Sequence, residues 1–296
     1  MNSLKKYIPC LLLSLILVFA SLGTSAVIIA GKYANADKFV ELTEENEIVP
    51  MIKTQLENYF SDKYNSTGIP AEVYAQAMNE QYINSAVEKY ITDGFKVLEG
   101  EPYATDTAPT FITPVNEVLE ADIRKFFSDY ADSIDYEKDD NYNKKVDSAI
   151  TSAYNAIGEQ CDIYKLKTIN NKGLLTKAKP IYQNLGLISL AVIAVTALLV
   201  VIIVLINIKS ISAALYWTGI SALISGAIGI IPCIFLNATN YFDAFVIKQP
   251  QIFTAFTGLM YSAVDSFMMN QIILAAVGAL LIIAYAVVNR LKKKEK

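Results

Sequence analysis

The sequence contains no histidine, and only two of its 25 basic residues are arginine. The lack of imidazole excludes histidine-ligated zinc, Ser-His and Cys-His nucleophiles, and a histidine pH switch. The three cysteines, Cys10, Cys161 and Cys233, are too few and too scattered for a disulfide framework or a thiolate metal site. Most familiar classes of hydrolase and metalloprotein are therefore excluded.

Charge is also scarce and unevenly distributed. Only 18% of the 296 residues are charged and 53% are apolar, whereas charged residues approach a quarter of an ordinary soluble domain. Between Lys32 and Lys179 there are 26 acidic and 16 basic residues, a net charge of −10, and the rest of the chain has 3 acidic and 9 basic residues. This division predicts a membrane protein that carries one acidic domain.

Four uncharged apolar stretches are each long enough to cross a bilayer, which takes roughly 20 helical residues. These predicted transmembrane helices are 8–30, 185–206, 211–236 and 271–288. Because water is absent from the bilayer core, each stretch must satisfy its backbone groups as a helix. None contains Asp, Glu, Lys or Arg, which argues against an autonomous ion-coupled pump but not against a channel lined by hydroxyl or backbone groups.

The basic residues that flank these helices predict the orientation of the chain. Lys5 and Lys6 precede the first helix, Lys209 lies between the second and third, and Arg290 with four lysines follows the fourth. The positive-inside rule places these residues in the cytoplasm. The cytoplasmic parts are then the N-terminus 1–7, the loop 207–210 and the basic tail 289–296; 31–184 is an extracellular domain and 237–270 an extracellular loop.

The expected location is the plasma membrane, with several passes and both termini in the cytoplasm. The bias towards lysine, asparagine, isoleucine and tyrosine is typical of a low-GC Gram-positive bacterium. An alternative is that the first helix is a signal peptide cleaved after Ala36. Its apolar run exceeds the 7 to 15 residues of a signal-peptide core, which favours a retained anchor.

The acidic segment has helical periodicity almost throughout. Four amphipathic stripes predict helices near 43–63, 70–98 with a break around Asn79, 114–134 and 143–166. The only strand candidate is the short stretch 110–113. The predicted fold class is therefore an all-α membrane protein, with four transmembrane helices and a large helical extracellular domain between the first and second.

Twelve of the 18 tyrosines lie in the acidic segment. A tyrosine ring can pack at the edge of a core while its hydroxyl reaches water, and core packing is the simpler interpretation. The alternative is an aromatic surface that binds a glycan or a peptide.

Two groups of carboxylates are candidate sites. Asp135, Glu137 and Asp139 alternate and are weak candidates for a cation site, but the glycine and the later bidentate glutamate of a calcium loop are missing. The second group, 117–122, holds three carboxylates within two helical turns, the type of residue that glycoside hydrolases use. A solvated turn and a solvated helix face are the simpler interpretations. The sequence thus predicts no catalytic, cofactor or metal site.

Small residues recur every four positions at Ser221, Ser225 and Gly229. Such spacing allows two helix backbones to approach closely. This face either packs inside the four-helix bundle or joins copies of the chain into a homo-oligomer.

The order of one span, a large external domain, two spans, a small external loop and a last span is similar to that of FtsX-like permease subunits. The resemblance implies an accessory role beside an ATPase. Those permeases meet their ATPase through substantial cytoplasmic segments, whereas only 1–7 and 207–210 are available here. No residue of the family is carried over.

The small cytoplasmic share and the lack of Walker and dinucleotide motifs place any specific function outside the cell or in the membrane. No cofactor and no nucleic acid is expected. The favoured hypothesis is a non-enzymatic protein whose external helical domain binds a partner or an envelope component, most simply another membrane or envelope protein. The alternatives are a permease-like subunit of an export complex and an external hydrolase that uses carboxylates.

Overall fold

The computed structural model describes residues 2–100 and 110–294, whose regular secondary structure is helical and includes no strand. This confirms the all-α class for those residues. The α-helices are α1 (Asn2–Tyr33), α2 (Ala36–Glu45), α3 (Ile48–Thr67), α4 (Glu72–Ala75), α5 (Glu80–Glu99), α6 (Glu117–Ser133), α7 (Asp140–Cys161), α8 (Leu166–Asn171), α9 (Leu174–Gln183), α10 (Leu185–Ile206), α11 (Ile211–Ala238) and α12 (Pro250–Lys294). A 3₁₀ helix covers Tyr241–Ala244.

The chain divides into two compact units. The first, here called the apolar bundle, comprises Met1–Ala34, Asn184–Val246 and Leu259–Lys296. The second, called the helical domain, comprises Asn35–Gln183 and Ile247–Gly258. The helical domain thus includes a segment that follows the third apolar helix, which the sequence pattern does not place with it.

Four helices are long and apolar enough to cross a membrane: Lys6–Tyr33, Leu185–Ile206, Ile211–Ala238 and Pro250–Lys292. The predicted number of candidate spans is therefore confirmed. Residues 250–270, which the sequence analysis places in an extracellular loop, are helical and belong to α12. Pro250 suits the first position of a helix, where its missing N–H costs nothing. The polar residues that follow are compatible with a helix, but they lower the mean hydropathy of the segment.

The interior of the apolar bundle is built from small and hydroxyl side chains. The Ser14 and Ser221 hydroxyls lie 2.5 Å apart, and those of Thr24 and Thr196 lie 2.8 Å apart. Ser225 is fully buried, and a Cβ added to Gly229 would lie 2.6 Å from the Gln271 side chain. The small-residue face predicted at 221, 225 and 229 thus packs against helices of its own bundle.

Aliphatic side chains at helical spacing form the core of the helical domain. Ile52 and Leu56 of α3 and Ile157 of α7 are fully buried, as their stripes predict. Asparagine and aspartate side chains accept backbone N–H bonds at the N-termini of α2, α5, α6 and α7, which satisfies donors that a helix leaves free. Asn79 caps α5 and confirms the predicted break.

Two further breaks were missed by the sequence pattern. Glu47 and Lys165 have φ angles of 51° and 54°, a left-handed conformation that ends a helix. Glu47 interrupts the predicted helix 43–63 between α2 and α3. The predicted helix 143–166 ends earlier, at Cys161, and Lys165 directly precedes α8. Apolar periodicity continues on both sides of each break and therefore reveals neither.

The strand candidate 110–113 is irregular instead. The Phe111 N–H donates to the Asp93 carboxylate at 3.1 Å, and the Thr113 hydroxyl donates to the Tyr154 carbonyl at 2.9 Å.

Candidate ligand-binding groove

A groove on the helical domain is formed by two adjoining cavities of about 370 and 340 Å³. They share Phe127 and Lys145 and therefore lie next to each other. We call this surface the tyrosine–lysine groove. Its lining residues are Tyr59, Phe60, Lys63, Ser66, Thr67, Ile69, Tyr74, Phe127, Tyr130, Ala131, Ile134, Tyr136, Tyr142, Lys145, Ser148, Ala149, Ser152 and Ala153.

Helix α7 presents polar side chains to the groove because its periodicity is amphipathic. Val146 and Ile150 are buried, whereas Lys145, Ser148 and Ser152 are exposed. Residues three and four apart lie on one helix face, so the ammonium and the two hydroxyls follow one another along the groove. One wall is therefore a row of hydrogen-bond donors.

The last turn of α3 also contributes one lysine and two hydroxyl side chains to the groove. Lys63, Ser66 and Thr67 line the same cavity as Lys145. Both hydroxyls donate to the Lys63 carbonyl in the last turn of the helix, at 2.9 and 3.0 Å. Gly68, with a φ angle of 69°, ends the helix, because this left-handed conformation favours glycine. The hydroxyls are thereby held in place.

Aromatic rings form the floor. Phe60 and Tyr74 stack with ring centroids 3.9 Å apart, and Tyr59 meets Phe60 edge to face at 5.3 Å. Burial, with a smaller effect of Tyr59, raises the pKa of Tyr74 to about 12. Its phenol is therefore neutral at physiological pH, and the charge of the groove comes from the lysines.

The lysines are associated with rings rather than with acids. Lys63 Nζ lies 5.6 Å from the centroid of the Tyr59 ring, and Lys145 Nζ lies 5.5 Å from that of Tyr136, both within cation–π range. None of the residues that line the two cavities is Asp or Glu. The groove is thus a positively charged surface in a segment with a net charge of −10.

The exposed rings explain one departure from the sequence pattern. In the third predicted stripe, which runs through α6, Leu119 and Ile123 are fully buried. The stripe is exposed towards both ends, at Val115 and Val118 and again at Tyr130 and Ile134, which are 58% and 53% exposed. Tyr130 and Ile134 line the groove instead of the core.

The weak cation candidates take other roles. Asp139 caps α7 by accepting from the Asn141 and Tyr142 N–H groups, and Asp135 occupies a left-handed turn with a φ angle of 54°. Within residues 2–100 and 110–294, no group of three His, Cys, Asp or Glu side chains is arranged to hold a metal ion. Glu137 therefore belongs to no such group.

The carboxylates near the start of α6 lie outside the groove. Glu120 accepts from the Tyr154 hydroxyl at 3.1 Å, so it helps to fix the ring that also bonds Asn116. Glu117 is exposed. Asp122 lines a separate shallow cavity with Lys125.

Sequence reasoning missed Lys63 and Lys145, together with the hydroxyls beside them. A usable signal was present, since Lys63 and Ser66 have the same spacing as Lys145 and Ser148. The pattern is short and common, and only the fold brings the two copies to one cavity.

The comparisons with known proteins add no assignment: no protein-family model matches the chain, and no significant match is found among curated proteins or among solved structures.

Proposed function

We propose that the chain is a multi-pass plasma-membrane protein whose helical domain lies outside the cell and binds a partner or envelope component without catalysis. The tyrosine–lysine groove is the observation that carries the proposal. It combines neutral aromatic rings, two cations and a row of hydroxyls on an open surface. Rings of this kind with a few well-placed polar groups are typical of binding sites.

The external location is supported by the charge asymmetry. Basic residues flank the candidate spans at the sides assigned to the cytoplasm, and the acidic segment lies on the other side under the positive-inside rule. The four apolar helices then anchor the domain beside the envelope. This arrangement gives the groove access to external ligands.

Cysteine labelling in intact cells tests the location. All three native cysteines are buried, so an impermeant maleimide has little background reaction. Thr151→Cys, at an exposed position of α7, should be labelled in intact cells, whereas Lys292→Cys should be labelled only after permeabilisation. The reverse pattern would put the helical domain in the cytoplasm.

Site-directed photo-crosslinking tests the groove. A benzophenone amino acid in place of Ser152, which lines the groove, should capture a specific partner or envelope fragment in native membranes. The same substitution at Thr151, an exposed neighbour that is not among the residues lining the groove, is the matched control. Equal products from both positions would reject the groove as the binding surface.

A further inference from the structure

We infer that the tyrosine–lysine groove binds a glycan that carries phosphate groups. The inference rests on the proposed function and adds the class of ligand. Its starting point is the repeated arrangement of a lysine and a serine one helical turn apart, at Lys63 and Ser66 and again at Lys145 and Ser148, on helices that line one cavity. Each pair offers an ammonium, and Ser148 also offers its hydroxyl proton, whereas the Ser66 hydroxyl already donates to the Lys63 carbonyl.

Phosphate fits this arrangement better than neutral ligands do. The two ammonium groups are donors without acceptor capacity, and both lie in a groove without a lining carboxylate. Lysine acts on phosphate as a point charge and does not need the planar geometry of an arginine–carboxylate pair. The groove would therefore attract anions although the surrounding domain repels them.

The hydroxyls on α7 are available to a ligand. Ser148 and Ser152 are exposed, and among the described residues neither makes a hydrogen bond within the protein. Both face the cavity that contains Lys145. They can donate to phosphoryl oxygens or exchange hydrogen bonds with sugar hydroxyls.

The rings indicate the rest of the ligand. Tyr59 is partly exposed in the first cavity, and Tyr130 and Tyr136 are exposed in the second, so each of the two cavities that Lys145 lines has an accessible aromatic ring. Such rings offer an apolar face with a polar edge, which suits a sugar ring with its apolar face and peripheral hydroxyls. Each cavity lies within the size range of small-ligand pockets, and the two in series suit a chain of several units.

A peptide fits the groove less well. The described residues contain no strand, so the helical domain offers no sheet edge to an extended main chain, and four hydroxyls and two lysines interrupt the apolar groove that an amphipathic helix needs. A peptide that carries phosphoserine is therefore the competing ligand in the test.

The test measures binding to the full-length protein in nanodiscs of uncharged lipid. The probes are phosphorylated maltohexaose, unmodified maltohexaose and a phosphoserine hexapeptide, and each Kd is measured by calorimetry at low and high salt. We expect the phosphorylated sugar to bind at least tenfold more tightly than either other probe. Its binding should weaken as salt screens the lysines.

Variants locate the binding. Lys63→Gln and Lys145→Gln should each weaken binding of the phosphorylated sugar about tenfold, the size of one lost charged hydrogen bond. Lys144→Gln, which removes an exposed lysine adjacent to Lys145 but outside the groove, is the matched control and should leave the Kd unchanged.

Three results would overturn the inference: equal affinity for both sugars, tighter binding of the phosphopeptide, or the same Kd for all three lysine variants. Its failure is distinguishable from that of the proposed function. If the photo-crosslinker at Ser152 still captures a partner while the phosphorylated sugar does not bind, the binding role stands and the ligand class is wrong.

Discussion

The apolar bundle and the helical domain use the same secondary structure with opposite distributions of side chains. In the bundle, Leu187 and Ile231 are 68% and 67% exposed while Ser221 is fully buried. In the helical domain, Ile52 is fully buried and charged residues cover the surface. Lipid accepts the outward leucines and isoleucines of the bundle, whereas water would not.

The difference shows that the two regions are stabilised by different forces. In water the burial of aliphatic side chains drives folding, which accounts for the core of the helical domain. In a bilayer the apolar side chains gain little by association, so close packing of backbones and hydrogen bonds between helices stabilise the fold. The two regions should therefore lose stability on different kinds of substitution.

Truncation of a core residue should have the largest effect, and only in the helical domain. Ile52→Ala removes fully buried methyl groups and should lower the free energy of unfolding by about 2–5 kcal/mol. Denaturant titration of the full-length protein in detergent, followed by tyrosine absorbance, measures it. Ile112→Ala, at a side chain that is 61% exposed, should change stability little.

The single tryptophan makes this prediction sharper. Trp217 belongs to the apolar bundle, so its fluorescence should show an unchanged transition in the Ile52→Ala protein. A tryptophan transition that moves together with the tyrosine transition would show that the two regions unfold as one cooperative unit.

Enlargement of a glycine should have the next largest effect, now in the apolar bundle. A Cβ added to Gly278 would lie 2.4 Å from the Leu223 backbone nitrogen of α11, and backbone cannot move aside cheaply. Gly278→Val should therefore destabilise the bundle by about 1–3 kcal/mol or more, measured by a thermal ramp of Trp217 emission. At Gly186, a Cβ would meet nothing within 4 Å.

Gly186→Val is accordingly the matched control and should melt at the temperature of the unmodified protein. If both valine variants lose the same stability, the loss comes from helix propensity rather than from the contact between α11 and α12. Close packing between helix backbones would then not be what stabilises the apolar bundle.

Loss of one hydroxyl pair should have the smallest effect. Ser221→Ala removes the contact with Ser14 and should cost about 0.6 kcal/mol, the average for such bonds in membrane bundles. Thr218→Ala is the control on the same helix, because the Thr218 hydroxyl bonds only carbonyls of its own helix. A loss above about 2 kcal/mol for Ser221→Ala would show that hydroxyl bonds dominate the bundle.

Much of the fold was predictable because its signals are local or periodic. Uncharged runs predicted the four candidate spans, and stripes such as Ile83 to Phe95 predicted the buried face of α5. The left-handed breaks at Glu47 and Lys165 were not predictable, because neither glycine nor proline marks them. The early start of α12 was missed because hydropathy detects apolar segments rather than helices.

The groove was predictable only in part. The excess of tyrosine raised an aromatic binding surface as an alternative, but core packing was preferred. Which rings lie on the surface depends on how α6 meets α7, so Tyr130 could not be distinguished from the buried Tyr90 by spacing alone. Likewise, Lys63 and Lys145 are 82 positions apart in the chain, and no local pattern links them.

In the proposed membrane arrangement, the length of α10 limits the thickness of the bilayer that it can span. Its 22 residues, at about 1.5 Å per residue, span about 33 Å, close to the thickness of a typical hydrocarbon core. The polar residues Asn184 and Asn207 adjoin its two ends, so the apolar helix cannot be extended without including a polar residue. Helix α12 is longer, with 45 residues. A bilayer thicker than the apolar length of α10 would therefore have to become thinner around this helix, or the polar residues at its ends would have to enter the hydrocarbon core.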